Sequence, residues 1–512
     1  MSNHYALSNP LSRFLDKPRA EYTRADLVRV IEEKRLERIT FHYTALDGKF
    51  KELKIPVAGR YQAERVLADG ERLDGSSLYK GLVDTAGSDL YVVPLYRTAF
   101  LNPFDTGSLD FICRFLTRDG DVAPFTLDSI LYKANTLLLE NTPYELHALG
   151  ELEFYLLGDP TTNLFPARRQ TGYHASAPFV KSGDILDEMT RTIAQITESV
   201  KYSHSEVGYV ESVRSDLKEI KGKRAEQMEV EFLPTPVVDT ADVLVLAKWV
   251  IRNIAFRRGC VATFSPKLEE GEAGNGLHVH LELRQDGRNV MCDENGDLSE
   301  PARRVIGGLC HYADSLTAFG NTTSSAHLRL VPNQEAPTHV CWSDRNRSAM
   351  IRVPLAWAKL ENLAHQLNPQ QAEPFEDAIG QQTVEFRSPD GSALIHLMLA
   401  GVTLAAEWGL THAESLAIAD KLYVTGNIFK DEKLLERLPV LASSCVQSAR
   451  VLRDKRDLYE RDGVFPARAI DYMADLLEAE DDLRMNERLA DLPADDRLTE
   501  TRRIMHKDLH RH

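Results

Sequence analysis

A chain of 512 residues can bury a large core and divide into several domains. With 43% hydrophobic and 27% charged residues it has the composition of a globular protein, and its formal charge of −16 argues against a general nucleic-acid binder, which needs a basic face. The six cysteines form no CxxC pair, the N-terminus has no apolar leader, and the most apolar run, 397–406, is too short to span a bilayer, so a cytoplasmic protein with no membrane partner is expected.

Residues 1–35 are polar, with helical spacing of Leu27, Ile31 and Leu36 in ADLVRVIEEKRLERI. From Thr40 the pattern changes to short alternating runs. ITFHYTAL and FKELKIPVA flank Asp47-Gly48 and predict a hairpin, and DLYVVPL and DFICRFL add two strands, so 36–125 is predicted to be a small strand-rich domain. At Thr126 the chain turns helical in TLDSILYKANTLLLE, with Thr126 or Asp128 available as an N-cap. The body from 126 to 480 mixes long helical patterns, such as TADVLVLAKWVIRNIAFRRG, with isolated charged strands, which indicates an α+β domain around one sheet. The segment 481–512 is dense in both charge signs and reads as exposed helix or a frayed tail.

Four strand-like segments of the body carry two polar groups one residue apart. They are Glu151 and Glu153, Glu229 and Glu231, His278 and His280, and Glu385 and Arg387. Residues i and i+2 of a strand share a face, so neighbouring strands of this kind line one surface with carboxylates and imidazoles. Each pair alone is an ordinary solvent-facing strand side. Together the carboxylates repel one another and call for cations, and an oxygen-rich set with one imidazole per site suits Mg²⁺ or Mn²⁺ better than Zn²⁺.

The stretch NTTSSAHLRLVPNQEAPTHVCWSDRNRSAMIRVP, 321–354, gathers Arg329, Arg345, Arg347 and Arg352 around Glu335, and Pro332 and Pro337 make its middle a loop. Arginine forks fit carboxylate and phosphate oxygens, although solvated surface charge gives the same pattern. Anionic substrate, phosphate donor and metal together imply phosphoryl transfer. No Walker-type or GxGxxG loop is present, and the close glycines of GEAGNGLHVH are a weak signal by themselves.

Taken in order, LDGSSLYKG with GSDLYVVP, GELEFYL, TGYHASAPF, HSEV, EQMEVEF, GNGLHVHLEL, RLVPNQEAP, SDRNRSAMIRVP and VEFRSPDGSA closely resemble the motifs of the glutamine synthetase family, over about residues 39–480. The resemblance implies an N-terminal β-grasp domain followed by a catalytic domain, in which a curved antiparallel sheet flanked by helices floors a funnel-shaped site. It implies ATP-dependent ligation of ammonia to L-glutamate through a γ-glutamyl phosphate, by a homo-oligomer of hexameric rings or a dodecamer with intersubunit sites. Two or three Mg²⁺ or Mn²⁺ are implied, held by Glu153, Glu206 and Glu229 and by Glu151, His278 and Glu385. By matching position, His280, Arg347 and Arg352 fall near ATP, and Arg329, Arg387 and the backbone at Gly274 fall near glutamate. Asp74 from the neighbouring subunit, with Ser77, Tyr173 and Glu206, makes the ammonium pocket. Glu335 is the flap carboxylate, and Asp74, Glu335 and Arg347 are the expected catalytic residues.

The chain departs from the common pattern at Thr383, where the family has arginine, at Ala273, at Asn333-Gln334, and in added residues between Glu206 and Glu229 and between Arg352 and Glu385. Tyr423 is read as an ordinary tyrosine. A γ-glutamyl ligase for a larger amine, such as a polyamine or ethanolamine, stays open as an alternative, as does a non-catalytic assembly protein of the same fold.

Overall fold

A computed structural model of the chain describes residues 5–83, 88–161, 164–331, 336–356, 363–371, 373, 375 and 379–511. After a first short helix, Pro10–Leu15, the helix expected around 25–39 is shorter than its periodicity predicts. It runs Arg24–Lys34, opened by a Thr23/Asp26 capping box and closed where Arg35 turns left-handed at φ 54°. The chain then enters a sheet built from β1 (Arg38–Thr44), β2 (Phe50–Pro56), β3 (Glu71–Asp74), β4 (Asp89–Pro94), β5 (Phe100–Leu101) and β6 (Ser108–Leu116), in the order β2-β1-β6-β4-β3 with β5 on β6. The β1–β2 hairpin turns at Asp47-Gly48, where Gly48 takes φ 73° and Asp47 accepts from the Lys49 amide at 3.1 Å. β1 and β6 pair in parallel at the centre, and the helix Arg60–Asp69 lies between β2 and β3 in sequence, giving the β-grasp arrangement.

The helix Leu127–Asn141 leads into the second sheet. Its strands are β7 (Glu145–Gly158), β8 (Val200–Val210), β9 (Arg224–Phe232), β10 (Thr235–Pro236), β11 (Val261–Thr263), β12 (Leu277–Gln285), β13 (Arg288–Asn289), β14 (Trp342–Asp344), β15 (Ile351–Val353) and β16 (Val384–Phe386). The path is β14-β15-β16-β12-β7-β9-β8. Among the described residues every pairing in this sheet is antiparallel except β14 with β15. Leu152, Phe154, Val230, Val279 and Leu281 are buried, packed in one core with Leu244 and Leu246 of the helix Val237–Arg257. Burying each such side chain contributes about 1.5–3 kcal/mol, so this face is fixed by apolar packing and the opposite one is left for polar chemistry. Gly150 permits the close approach, since a Cβ there would sit 2.8 Å from Leu244 Cδ2.

The segment 481–512 is helical and largely exposed, the first of the two expected forms, but it is anchored rather than frayed. It forms the helices Met485–Ala490 and Ala494–Lys507, with Met505 and Leu509 buried. Ser265 donates to the Met505 carbonyl at 2.9 Å and Thr263 to that of Leu509 at 2.8 Å, while Lys507 pairs with Glu480 at 2.7 Å. The charges that suggest a tail are spent on ion pairs around an apolar stripe. No helix among the described residues is long and apolar enough to cross a membrane.

Candidate active site

Strand alternation, carried across five antiparallel ladders, builds the site. Register sets His204 of β8 opposite Glu229 of β9, and Glu229 opposite Glu153 of β7. A second row runs Tyr202, Glu231, Glu151 and His278 from β8 to β12, and a third joins His280, Glu385 and Arg352 across β12, β16 and β15. All eight members of the i, i+2 pairs line one cavity of about 1160 Å³. Directly opposed residues bring their Cβ atoms to about 5 Å, so each row is a set of touching functional groups.

Glu151 is the hub. Its carboxylate lies 2.8 Å from His278 Nδ1 and 2.9 Å from His280 Nε2. Burial alone would raise its pKa, but the two imidazoles, His280 foremost, hold it well below the carboxylate range, and Glu151 in turn raises His280 against the opposing effect of burial. The Thr383 hydroxyl stands 2.9 Å from His280 Nδ1, fixing that ring from its other side. Glu385 is fully buried between Arg387 and Arg352, the latter at 2.7 Å. Burial opposes its ionisation, but the arginine charge prevails and brings its pKa down to about 2.

The opposite end of the cluster has a surplus of negative charge. Burial and the carboxylates of Glu151, Glu153 and Glu206 push Glu229 well above its ordinary value. Ligand atoms of Glu151, His278 and Glu385 lie within 4.8 Å of one another, as do those of His204, Glu206 and Glu229. Both groups carry two carboxylates and one imidazole, a donor set that fits a hard divalent cation.

The second group differs from the set expected, which has Glu153 in place of His204. Glu153 also lines the cavity, but it accepts from the Gly276 amide at 2.8 Å and from Gln227 Nε2 at 3.2 Å. His204 escapes the sequence reading although its signal was there: it stands two residues from Glu206 on β8 and so shares its face. Gly276, one of the close glycines of GEAGNGLHVH, has a packing role that spacing alone does not assign. A Cβ there would sit 2.5 Å from His278 Nε2 and 2.9 Å from Arg329 Nη2, so only glycine lets both groups reach this wall.

Arg329, from the short helix Ala326–Arg329, is buried and donates to the Ser388 carbonyl at 3.0 Å. Arg347, Arg352 and Arg387 also line the cavity, as does Gly274, whose carbonyl accepts from Gln227 at 2.9 Å. Arg345 does not line it. The ammonium set is split. Tyr173 and Glu206 face the cavity, whereas Asp74 and Ser77 are on the surface of the β-grasp domain, where Asp74 accepts from the Ser77 and Ser76 hydroxyls at 2.6 and 2.7 Å. Those hydrogen bonds, that of Ser77 first, hold its carboxyl well below the usual range. Glu335, with Pro332, Asn333 and Gln334, lies outside the described residues.

Residues 35–118 match the family model for the glutamine synthetase β-grasp domain, and 129–488 that for the glutamine synthetase catalytic domain. A glutamine synthetase of Frankia alni is 30% identical over 89% of this chain and 94% of its own, and one of Mycobacterium bovis is 28% identical over 90% and 94%. Among solved structures, Plasmodium falciparum glutamine synthetase superposes with a TM-score of 0.70 at 20% identity, covering 93% of this chain and 98% of that one. Apo GmaS gives 0.69 at 20% identity, covering 93% and 99%. Both are likenesses of fold.

Proposed function

The chain belongs to the glutamine synthetase family of carbon–nitrogen ligases, and from that premise we propose that it joins ammonia to the γ-carboxylate of L-glutamate, with ATP hydrolysed to ADP and phosphate. The observation that carries this reading is the convergence of eight alternating side chains from four strands on one cavity, with three three-donor groups in its floor, the third being Glu151, Glu229 and Glu231, and Arg329, Arg347 and Arg352 on its walls. A carboxylate is a poor acyl donor, so it must first take the terminal phosphoryl group of ATP. Bound Mg²⁺ or Mn²⁺, held by Glu151, His278 and Glu385 and by Glu206 and Glu229 with His204 or Glu153, supplies Lewis-acid neutralisation of phosphate charge. The protein's own part is positional and electrostatic. Arg329 and Arg387 present fixed cations to glutamate, His280 is clamped between Glu151 and Thr383 beside the nucleotide, and Arg347 and Arg352 face its phosphates.

Ammonium is not a nucleophile, so a carboxylate must collect the cation and take its proton. Asp74 fills that role from a neighbouring subunit, since in its own chain it is exposed and outside the cavity. The active form is therefore a homo-oligomer, of hexameric rings or a dodecamer, and Glu335 serves as the carboxylate that closes over the acyl phosphate.

One observation favours a second reading, ligation of an amine larger than ammonia. A cavity of about 540 Å³, lined by Phe179, Val180 and Tyr209, adjoins the main one and shares Glu206 and Gln227 with it. Phosphate release with ATP and glutamate, comparing ammonia with methylamine, ethanolamine and putrescine, separates the two. A higher kcat/KM for an organic amine than for ammonia overturns the first reading, and no turnover with any of them overturns both.

A further inference from the structure

A second cluster of metal-ligating side chains lies outside the active cavity. His327, Cys445 and Asp482 are all buried, at 2%, 0% and 3% exposure, and their ligand atoms lie within 4.8 Å of one another. They come from three separate parts of the chain: the short helix Ala326–Arg329, the first residue of the helix Cys445–Asp454, and the turn that precedes Met485–Ala490. Asp482 is fixed in place, accepting from the Cys445 amide at 2.9 Å and from the Val446 amide at 3.1 Å, and it also takes a hydrogen bond from the Cys445 side chain. His327 is the anomaly. A backbone hydrogen bond to Ala442 accounts for at most one of its ring nitrogens, and the other has no partner. Buried polar atoms are ordinarily paired, so a ring nitrogen without a partner beside a thiol and a carboxylate is short of one.

We infer that His327, Cys445 and Asp482 bind one divalent transition-metal ion, Zn²⁺ by its donor chemistry, at a structural site separate from the catalytic cavity. Imidazole nitrogen, thiolate sulfur and carboxylate oxygen together suit Zn²⁺ and disfavour Mg²⁺, which prefers oxygen alone. Binding replaces the thiol proton by a metal–sulfur bond and releases that proton to solvent. The +2 ion with one thiolate and one carboxylate is neutral overall, which a buried site requires. A water molecule completes the tetrahedron. Because all three donors are buried, the ion is taken up as the chain folds. It ties the segment carrying Arg329, two residues beyond His327, to the C-terminal helices.

The test uses the full chain expressed with Zn²⁺ or Co²⁺ in the medium and then dialysed against EDTA, which reaches the open active cavity. The wild type is expected to retain about one metal per chain by elemental analysis. The Co²⁺ form is expected to show a thiolate-to-cobalt charge-transfer band, which the active-site donor sets among the described residues cannot give because none contains cysteine. Cys445→Ser and His327→Gln are expected to lose the band and at least tenfold of the retained metal. Wild-type protein that retains no metal and shows no band overturns the proposal without reference to any variant, and a band that persists in Cys445→Ser overturns it as well.

Discussion

Adding one methyl group at Gly276 tests whether this wall of the cavity is set as tightly as its geometry states. The Cβ of Gly276→Ala would stand 2.5 Å from His278 Nε2, about 0.9 Å inside ordinary contact, and 2.9 Å from Arg329 Nη2. Neither group yields easily, because His278 is held to Glu151 at 2.8 Å and Arg329 to the Ser388 carbonyl at 3.0 Å. The backbone is not the difficulty, since φ at this glycine is not positive. The strain must therefore be relieved by moving a proposed metal ligand or the proposed glutamate-binding arginine by most of an ångström. A displacement near 1 Å costs about 100-fold in rate, or about 2.7 kcal/mol of transition-state stabilisation. Steady-state kinetics with ATP, glutamate and ammonia, at several Mn²⁺ concentrations, is expected to show that loss in kcat/KM. Gly59→Ala is the control, because nothing lies within 4 Å of a Cβ there. Activity of Gly276→Ala within threefold of wild type, with an unchanged melting curve, refutes the reasoning.

Thr383→Val removes the hydroxyl that fixes His280, and is expected to raise KM for ATP or lower kcat by about tenfold. Unchanged kinetics would mean that Glu151 orients the ring alone. Asp74→Asn and Glu229→Gln chains are each expected to be inactive, but refolded together they should regain about a quarter of wild-type activity, because a mixed ring contains some wild-type sites. Failure to complement would place Asp74 outside any shared site. Glu480, paired with Lys507 and Arg511, has its carboxyl brought from 4.5 to about 2, so it contributes stability that is full above the unfolded value and is lost as pH falls toward 2. After allowance for solvent this is about 2 kcal/mol. Melting temperature against pH is therefore expected to fall less steeply below 4.5 in Glu480→Gln, which is also the less stable protein at neutral pH, and parallel curves would contradict it.

Much of the site was legible because strand alternation is a strict period of two. Glu151 with Glu153 and His278 with His280 announce a shared face from spacing alone, and antiparallel register then sets them side by side. The role of Thr383 was not legible, because its hydroxyl meets His280 from just before β16, more than a hundred residues away. The order of the C-terminal segment was hidden for a related reason. Leu509 packs with Val213 and Ile220, in the added residues between Glu206 and Glu229, so two features that each look like surface decoration bury one another's apolar side chains. The helix over 25–39 was overextended because apolar spacing continues through Leu36, whereas the left-handed turn at Arg35 ends the helix at Lys34.

In the proposed reaction ATP phosphorylates the γ-carboxylate of glutamate before the amine attacks. Glutamate labelled with ¹⁸O in that carboxylate, incubated with the enzyme, ATP, Mg²⁺ and ammonia, carries the test in the inorganic phosphate released. One ¹⁸O transferred to phosphate for each product formed is the predicted result. Phosphate free of label, with product still accumulating, would contradict it.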